Sequence, residues 1–395
     1  MHPVRTNRDA TESISADLPL IFKLAAAFVL RSKMSDVEDD ANISSALLSR
    51  ADQLEAEYPN RPRNAHPTLK FQELVCLFDS LVDLQHKPRG RQGSIQSSSE
   101  ARRNIITRFI QRWRNDVGPD IYPAFRLIMP DRDKDRPMYG LKEASLGKML
   151  VSIMGIGKDS EDALAMTKWK LPGQGKSVGD FAGRCFEILS KRPFRDDFGN
   201  MTIEEVNNLL DRLSAVSKEK DQLPILMQFY RGMNPQELKW LVRIILRQMR
   251  VGATERTFFD CWHPDADKLF NVTSSLRKVC WELYDPETRL QDKDTDIKLF
   301  QCYQPQLANF SKRDLQQVVN AMGGGETPFW IEEKLDGERI QLHKRGKEFR
   351  FFSRKAKEYT YLYGSSFDDQ DSSLTRHLKE AFIPECREYV ISWQC

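Results

Sequence analysis

Little in this sequence points to a metal, a disulfide or a membrane. Its seven cysteines (Cys76, Cys185, Cys261, Cys280, Cys302, Cys386 and Cys395) are scattered, and no Cys-x-x-Cys pair occurs. That argues against a zinc site and a disulfide framework, and it suits a reducing compartment. The six histidines are dispersed, none of them beside a cysteine at metal-ligand spacing, so no metal ligand is assigned. No run is long and apolar enough to cross a bilayer. Leu18 to Leu30 has the length of a signal-peptide core, but Lys23 interrupts it and Asp9, Glu12 and Asp17 precede it. An excess of one charge is missing as well. Sixty Lys and Arg against 57 Asp and Glu leave a net charge of +3, so any nucleic-acid surface must be local. No repeat of fixed period is visible.

What remains is ample chain. The 395 residues give room for two or three domains with a sizeable core. Residues 1–33 read as a disordered tail, or as an extension upstream of a start at Met34. From Leu69 onward the pattern is helical: Phe71, Leu74, Val75, Phe78, Leu81 and Val82 recur at the spacing of one buried face. A basic, serine-rich loop from Pro88 to Ser99 follows, and Ile105, Ile106, Phe109 and Trp113 mark the next helix. Ser177 with Asp180 and Thr202 with Glu205 are spaced as capping boxes. Asn234 and Pro235 suit a cap and first turn, leading into Leu238, Leu241, Val242, Ile245 and Met249. The pattern predicts an all-helical domain over about 65–285.

Two stretches inside it imitate binding motifs. Gly173-Gln-Gly175-Lys176-Ser177 resembles the end of a phosphate-binding loop, but Lys170 stands where the first glycine is needed and no strand precedes it. Asp131-Arg-Asp-Lys-Asp-Arg136 could suggest a metal loop, yet its cations alternate with its acids, which predicts a solvated turn.

The densest chemistry lies in Trp330-Ile-Glu-Glu-Lys-Leu-Asp-Gly-Glu-Arg-Ile-Gln-Leu-His343. Phe329 and Ile331, then Ile340 and Leu342, alternate with polar residues as half-buried strands do. Asp336-Gly337 between them reads as a tight turn, with Gly337 free to take a positive φ. Lys334 is then held by the strand and aimed outward. It can act as a nucleophile once nearby cations favour loss of its proton. Glu332 shares its face, and Arg339 and Arg354 suit phosphate oxygens. By spacing alone, a solvated charged hairpin fits equally well.

Glu332-Glu-Lys334-Leu335-Asp336-Gly337-Glu-Arg339 resembles the lysine-aspartate-glycine-arginine motif of covalent nucleotidyltransferases: ATP-dependent DNA ligases, RNA ligases and capping enzymes. Phe351-Phe352-Ser353-Arg354 resembles the motif that follows it. In that superfamily the lysine attacks the α-phosphate and keeps the nucleotide as a phosphoramidate. The resemblance implies Lys334 as nucleophile, Arg339 on the ribose, Arg354 on phosphate, and Glu332 with Leu335 at the base. A second resemblance separates the members. Lys239 to Phe259, then His263-Pro264-Asp265-Ala266, are similar to the N-terminal DNA-binding domain of eukaryotic DNA ligases, on the end-joining (DNA ligase IV) branch. Arg136 to Glu143 and Ile156 to Ser160 are similar too.

The family then implies an all-α DNA-binding domain at 34–290 and an incomplete α+β nucleotidyltransferase domain, with an antiparallel sheet, at 291–395. It implies ATP and Mg²⁺, duplex DNA with nicks or ends, no membrane, a nuclear location, and a scaffold partner of the end-joining ligase. Arg247, Arg250 and Gly252 at a helix end suit backbone phosphates, since glycine lets the main chain come close. A helix face merely solvated by its arginines is the alternative on spacing. For the whole chain the rivals are a non-catalytic DNA-binding module and a capping-type guanylyltransferase, the latter opposed by the helical resemblance. The family's next motif, an Asp-Gly-Glu at a strand end, is due where Tyr389-Val-Ile391 runs into Ser-Trp-Gln-Cys395. The sequence is therefore expected to be an N-terminal piece, catalytically incomplete, whose residues from about 300 are loosely held.

Overall fold

Several helices begin where a side chain satisfies one of their first backbone N–H groups. In this computed structural model, which describes residues 54–86, 97–170, 179–192, 197–305, 314–323, 339–378, 382 and 387–394, the first helix of the larger unit is α1 (Phe71–His86). It buries Phe71, Leu74, Val75, Leu77, Phe78 and Leu81, the face that the sequence spacing predicts. In α2 (Ser98–Asp116) the Ser97 hydroxyl accepts from Glu100 N–H, and Ile106, Phe109, Ile110 and Trp113 are buried. There follow α3 (Tyr122–Ile128), α4 (Glu143–Ile153), α5 (Glu161–Thr167) and α6 (Phe181–Ser190). After them come α7 (Ile203–Ala215), α8 (Glu219–Gly232), α9 (Pro235–Ile245), α10 (Glu255–Trp262), α11 (Ala266–Thr273) and α12 (Leu276–Glu282).

Both α7 and α9 start on complete capping boxes, Thr202 with Glu205 and Asn234 with Glu237, and Pro235 occupies the first turn of α9. Glu237 is fully buried and also accepts from Gly199 N–H at 2.8 Å, so one carboxylate closes a helix start and a distant loop. The capping pair read at Ser177 and Asp180 is different. Ser177 lies outside the described residues, and Asp180 is itself the cap residue of α6. Its carboxylate accepts from Arg243 Nη2 at 2.7 Å instead. Trp113, Trp240, Trp262, Phe125, Phe229, Phe258 and Phe259 fill the helical core.

The loop 131–136 is not a solvated turn. Asp133 and Arg136 are 2 % and 3 % exposed. Arg126 on α3 donates to Asp133 at 2.8 Å and, through two nitrogens, to Asp211 on α7 at 2.9 and 2.7 Å. Arg136 donates to Asp211 and to Asn207 Oδ1, each at 2.7 Å. Alternating charge is equally the pattern of a closed internal network, because each buried charge then has an opposite neighbour. Among the described residues no group of three or more His, Cys, Asp or Glu could hold a metal ion.

A short helix, α13 (Leu315–Ala321), precedes a three-stranded antiparallel sheet in the order β2–β1–β3, with β1 at Arg339–Arg345, β2 at Glu348–Ser353 and β3 at Glu388–Gln394. Gly346, at φ 55°, turns β1 into β2. Ile340 faces Ser353 across one edge and Trp393 across the other. Between β2 and β3 lies the turn of helix α14 (Thr360–Tyr363). Leu342, Phe349 and Phe351 form a buried cluster covered by Ile340, Tyr359, Tyr363, Phe367, Leu374, Leu378 and Phe382. Where a loose hairpin is expected, the structure has a three-stranded sheet with a packed apolar face. The turn read at Asp336-Gly337 and the phosphate-loop look-alike at 173–177 lie outside the described residues, as does the 1–33 segment.

The chain divides into two compact units, 1–61 and 62–395. In the first, Tyr58 N–H bonds to Leu54 O and Arg61 pairs with Glu55 at 3.1 Å. No described helix is long and apolar enough to cross a membrane.

Candidate functional site

A helix stops cleanly when the residue after its cap adopts the left-handed conformation, a place glycine fills most easily. At the end of α9 that residue is Arg247, at φ 55°. The two bonds of the motif are present: Gln248 N–H to Arg243 O at 2.8 Å and Arg247 N–H to Ile244 O at 3.1 Å. Three residues on, Arg250 is left-handed too, at φ 48°, and Gly252 follows at φ 67°. Each non-glycine residue in this region carries strain on the order of 1 kcal/mol. Two arginines in one loop thus hold a conformation that glycine adopts more easily.

The loop is fixed from below. Val251 is buried, and Arg247 Nη2 donates to the Arg136 carbonyl at 3.0 Å, tying the loop to the internal charge network. Gly252 is exposed, and a Cβ there would overlap the Gln85 carboxamide of α1. Arg250 is exposed, its guanidinium 3.5 Å from Gly179 O at the limit of bonding. Met129, Pro130, Arg132, Glu255 and Phe258 line a shallow cleft beside it. Arg132 holds Glu255 at the start of α10 with Nη2 at 2.6 Å. Lys134, exposed on the neighbouring loop, has its ammonium pushed down by partial burial and by the cations of Arg132 and Arg247. Arg132, Lys134, Arg247 and Arg250 thus gather here, with Asp131 and Glu255 among them.

The structure thus brings Arg247, Arg250 and Gly252 together in one strained loop. Lys134 and Gln85 belong to the same neighbourhood and were missed by sequence reasoning. Lys134 sits in the hexapeptide set aside as solvated, and no local signal links Gln85 to a loop so far along the chain.

The second group of predicted residues lies at one end of the sheet. Arg339 opens β1, and Arg354 is the first residue after β2, next to Ser353, which pairs with Ile340. Arg339 is half-buried at the start of β1. Arg354 is exposed where β2 turns, the turn closed by Ser353 N–H to Lys357 O at 2.8 Å. No ion pair among the described residues holds either guanidinium, so both can meet an anion. Glu332, Lys334 and Leu335 lie outside the described residues, on the stretch that leads into β1.

Comparison with known proteins bears on both groups. A family model described as DNA ligase N terminus matches residues 70–263, and one described as ATP dependent DNA ligase domain matches residues 305–392. DNA ligase 4 of Aspergillus fumigatus is 57 % identical over 363 residues, covering 86 % of this chain and 37 % of that protein. DNA ligase 4 of Neurospora crassa is 51 % identical over 390 residues, covering 91 % and 37 %. DNA ligase 4 of Coprinopsis cinerea is 40 % identical over 327 residues, covering 82 % and 30 %. The chain spans little more than a third of the length of the curated relatives it matches.

Proposed function

Because the chain belongs to the ATP-dependent DNA ligase family, we propose that it grips duplex DNA and accepts a nucleotide within a ligase that seals DNA breaks in end joining. The relatives named DNA ligase 4 favour that branch. In this reading the Lys334 amine, having lost its proton, attacks the α-phosphate of ATP. A phosphorus–nitrogen bond forms and pyrophosphate leaves. The AMP passes to a 5′-phosphate of DNA, freeing the lysine, and a 3′-hydroxyl then displaces AMP to close the nick. Arg339 and Arg354 hold the nucleotide, with Glu332 and Leu335 at the base. Planar guanidiniums match phosphate and ribose oxygens through paired donors. Mg²⁺ is proposed to accompany the phosphates of ATP. A nuclear location and a scaffold partner complete the proposal.

The observation that supports the DNA half is the loop of Arg247, Arg250 and Gly252, left-handed at all three, with Arg250 exposed. Such a surface meets phosphates, not base edges, and so suits arbitrary ends. Binding to duplex DNA should be independent of sequence and fall steeply with salt. Arg247→Ala with Arg250→Ala should weaken binding and flatten the salt slope; an unchanged slope moves the contact elsewhere. Any label taken from α-labelled ATP should be acid-labile, alkali-resistant and absent in Lys334→Ala. Label that survives this substitution sinks the assignment of the nucleophile.

A further inference from the structure

The register sorts the sheet into two faces. Ile340, Leu342 and Lys344 share one with Phe349 and Phe351 of the apolar cluster. Arg339, Gln341, His343 and Arg345 share the other with Phe352 and Arg350. That second face is covered in its middle. Phe300 N–H donates to His343 Nδ1 at 3.1 Å, and Tyr303 N–H donates to Gln341 Oε1 at 3.3 Å. Gln341 Nε2 donates back to the Tyr303 carbonyl at 2.7 Å. Gln341 is 1 % exposed and His343 not at all.

The covering segment, 300–304, is a strap held on both sides. Phe300 adopts φ 63°, and its ring lies against the guanidiniums of Arg345 and Arg350, at 5.1 and 5.0 Å. On the helical side Gln304 N–H donates to Asn271 O at 2.6 Å, and Gln304 Nε2 to Ser274 Oγ at 2.7 Å. Lys278 Nζ donates to Gln301 Oε1 at 3.3 Å. Strap numbers rise as strand numbers fall, Phe300 against His343 and Tyr303 against Gln341. The strap therefore runs toward the end of β1 that carries Arg339.

We infer that Gln341 and His343 are positioning residues for the nucleotide: they pin residues 300–303 along the face of β1 that presents Arg339. This rests on the ligase reading above. His343 acts as a neutral acceptor. With Nδ1 accepting, the ring proton sits on Nε2, which has no hydrogen-bond partner, and the Phe352 ring meets the imidazole edge-on at 5.1 Å. Burial alone keeps the imidazole uncharged, pushing it down to about 4. Gln341 copies the paired bonds of a neighbouring strand with its carboxamide. Because the strap docks on the strand that carries Arg339, docking of the strap and binding of the nucleotide are linked, and linkage works in both directions.

The test measures ATP affinity of the chain by calorimetry, beside hydrogen exchange at the amides of Phe300 and Tyr303. ATP should slow exchange at both amides. His343→Leu removes the acceptor and should weaken ATP binding roughly five-fold or more, with faster exchange at Phe300. His343→Asn places an oxygen near the Nδ1 position and should restore most of both effects, which a purely structural role would not do. Should His343→Leu fail to fold, Gln341→Leu provides the same comparison at Tyr303. Wild-type ATP affinity with the Phe300 amide deprotected would overturn the coupling alone. A wild-type chain that binds no ATP overturns the ligase reading, and the coupling falls with it.

Discussion

Asp211→Ala should cost the helical region about 3 kcal/mol. Its carboxylate is where two guanidiniums meet. Arg126 reaches it through two nitrogens at 2.9 and 2.7 Å, and Arg136 through Nε at 2.7 Å. Arg136 is 3 % exposed, so water cannot replace the lost partner. Asp133 stays in place, 2.8 Å from Arg126 but 3.9 Å from Arg136, leaving one close carboxylate for two cations. Breaking a buried pair from one side typically costs about 3–5 kcal/mol, because the remaining charge stays desolvated. The surviving Asp133 places this case at the lower end. Titration gives a second route to the magnitude. Burial works to raise the Asp211 carboxyl, but Arg136 and Arg126 outweigh it and hold it at about 2, against an ordinary 3.8. A gap of nearly two pH units corresponds to about 2.5 kcal/mol. The folded value is the lower one, so this stability is complete above pH 4 and drains away as pH falls toward 2. Denaturant unfolding of wild type and Asp211→Ala at pH 7, and again between pH 4 and pH 3, reads both quantities. The difference should be about 3 kcal/mol at pH 7 and shrink on acidification. A difference under about 1 kcal/mol at pH 7, the size expected of an exposed pair, would refute the reasoning.

Glu237→Ala removes the acceptor for two buried N–H groups, those of Gly199 and Asn234. It should lower stability by about 2–3 kcal/mol in thermal melts, more than an exposed cap would. Gly252→Ala meets both a left-handed backbone and the Gln85 carboxamide. It should cost on the order of 1 kcal/mol and weaken DNA binding, and Gln85→Ala in the same chain should recover the steric part. For His343 the folded value of about 4 lies below the ordinary 6.5. Its contribution is therefore complete above pH 6.5 and is lost as pH falls toward 4. Between pH 7 and pH 5 that loss should reach up to about 2 kcal/mol, and His343→Asn should remove it from the denaturation profile.

The helix starts were legible because their determinants are local. A cap at Asn234, a proline beside it and Glu237 three residues on close the capping box within four consecutive residues, whatever else Glu237 meets. The buried face of α1 follows from periodicity in the same way. The family was legible through short runs of consecutive residues, which the matched ligase models cover. The tertiary structure alone decided which charges are internal. Asp131 to Arg136 alternates in sign whether it faces water or Asp211, and that choice depends on α3 packing against α7. Nor does the sequence show that Arg247 takes the left-handed position after α9, since a glycine there is what local preference predicts. That position is held by bonds to Arg136 and by the loop's anchor at Val251. The strap over Gln341 and His343 depends likewise on register and on which face is left for a distant segment to cover. Short-range hydrogen bonding and periodicity act between residues a few positions apart, whereas burial of charge is settled only when elements far apart in sequence close on the same space.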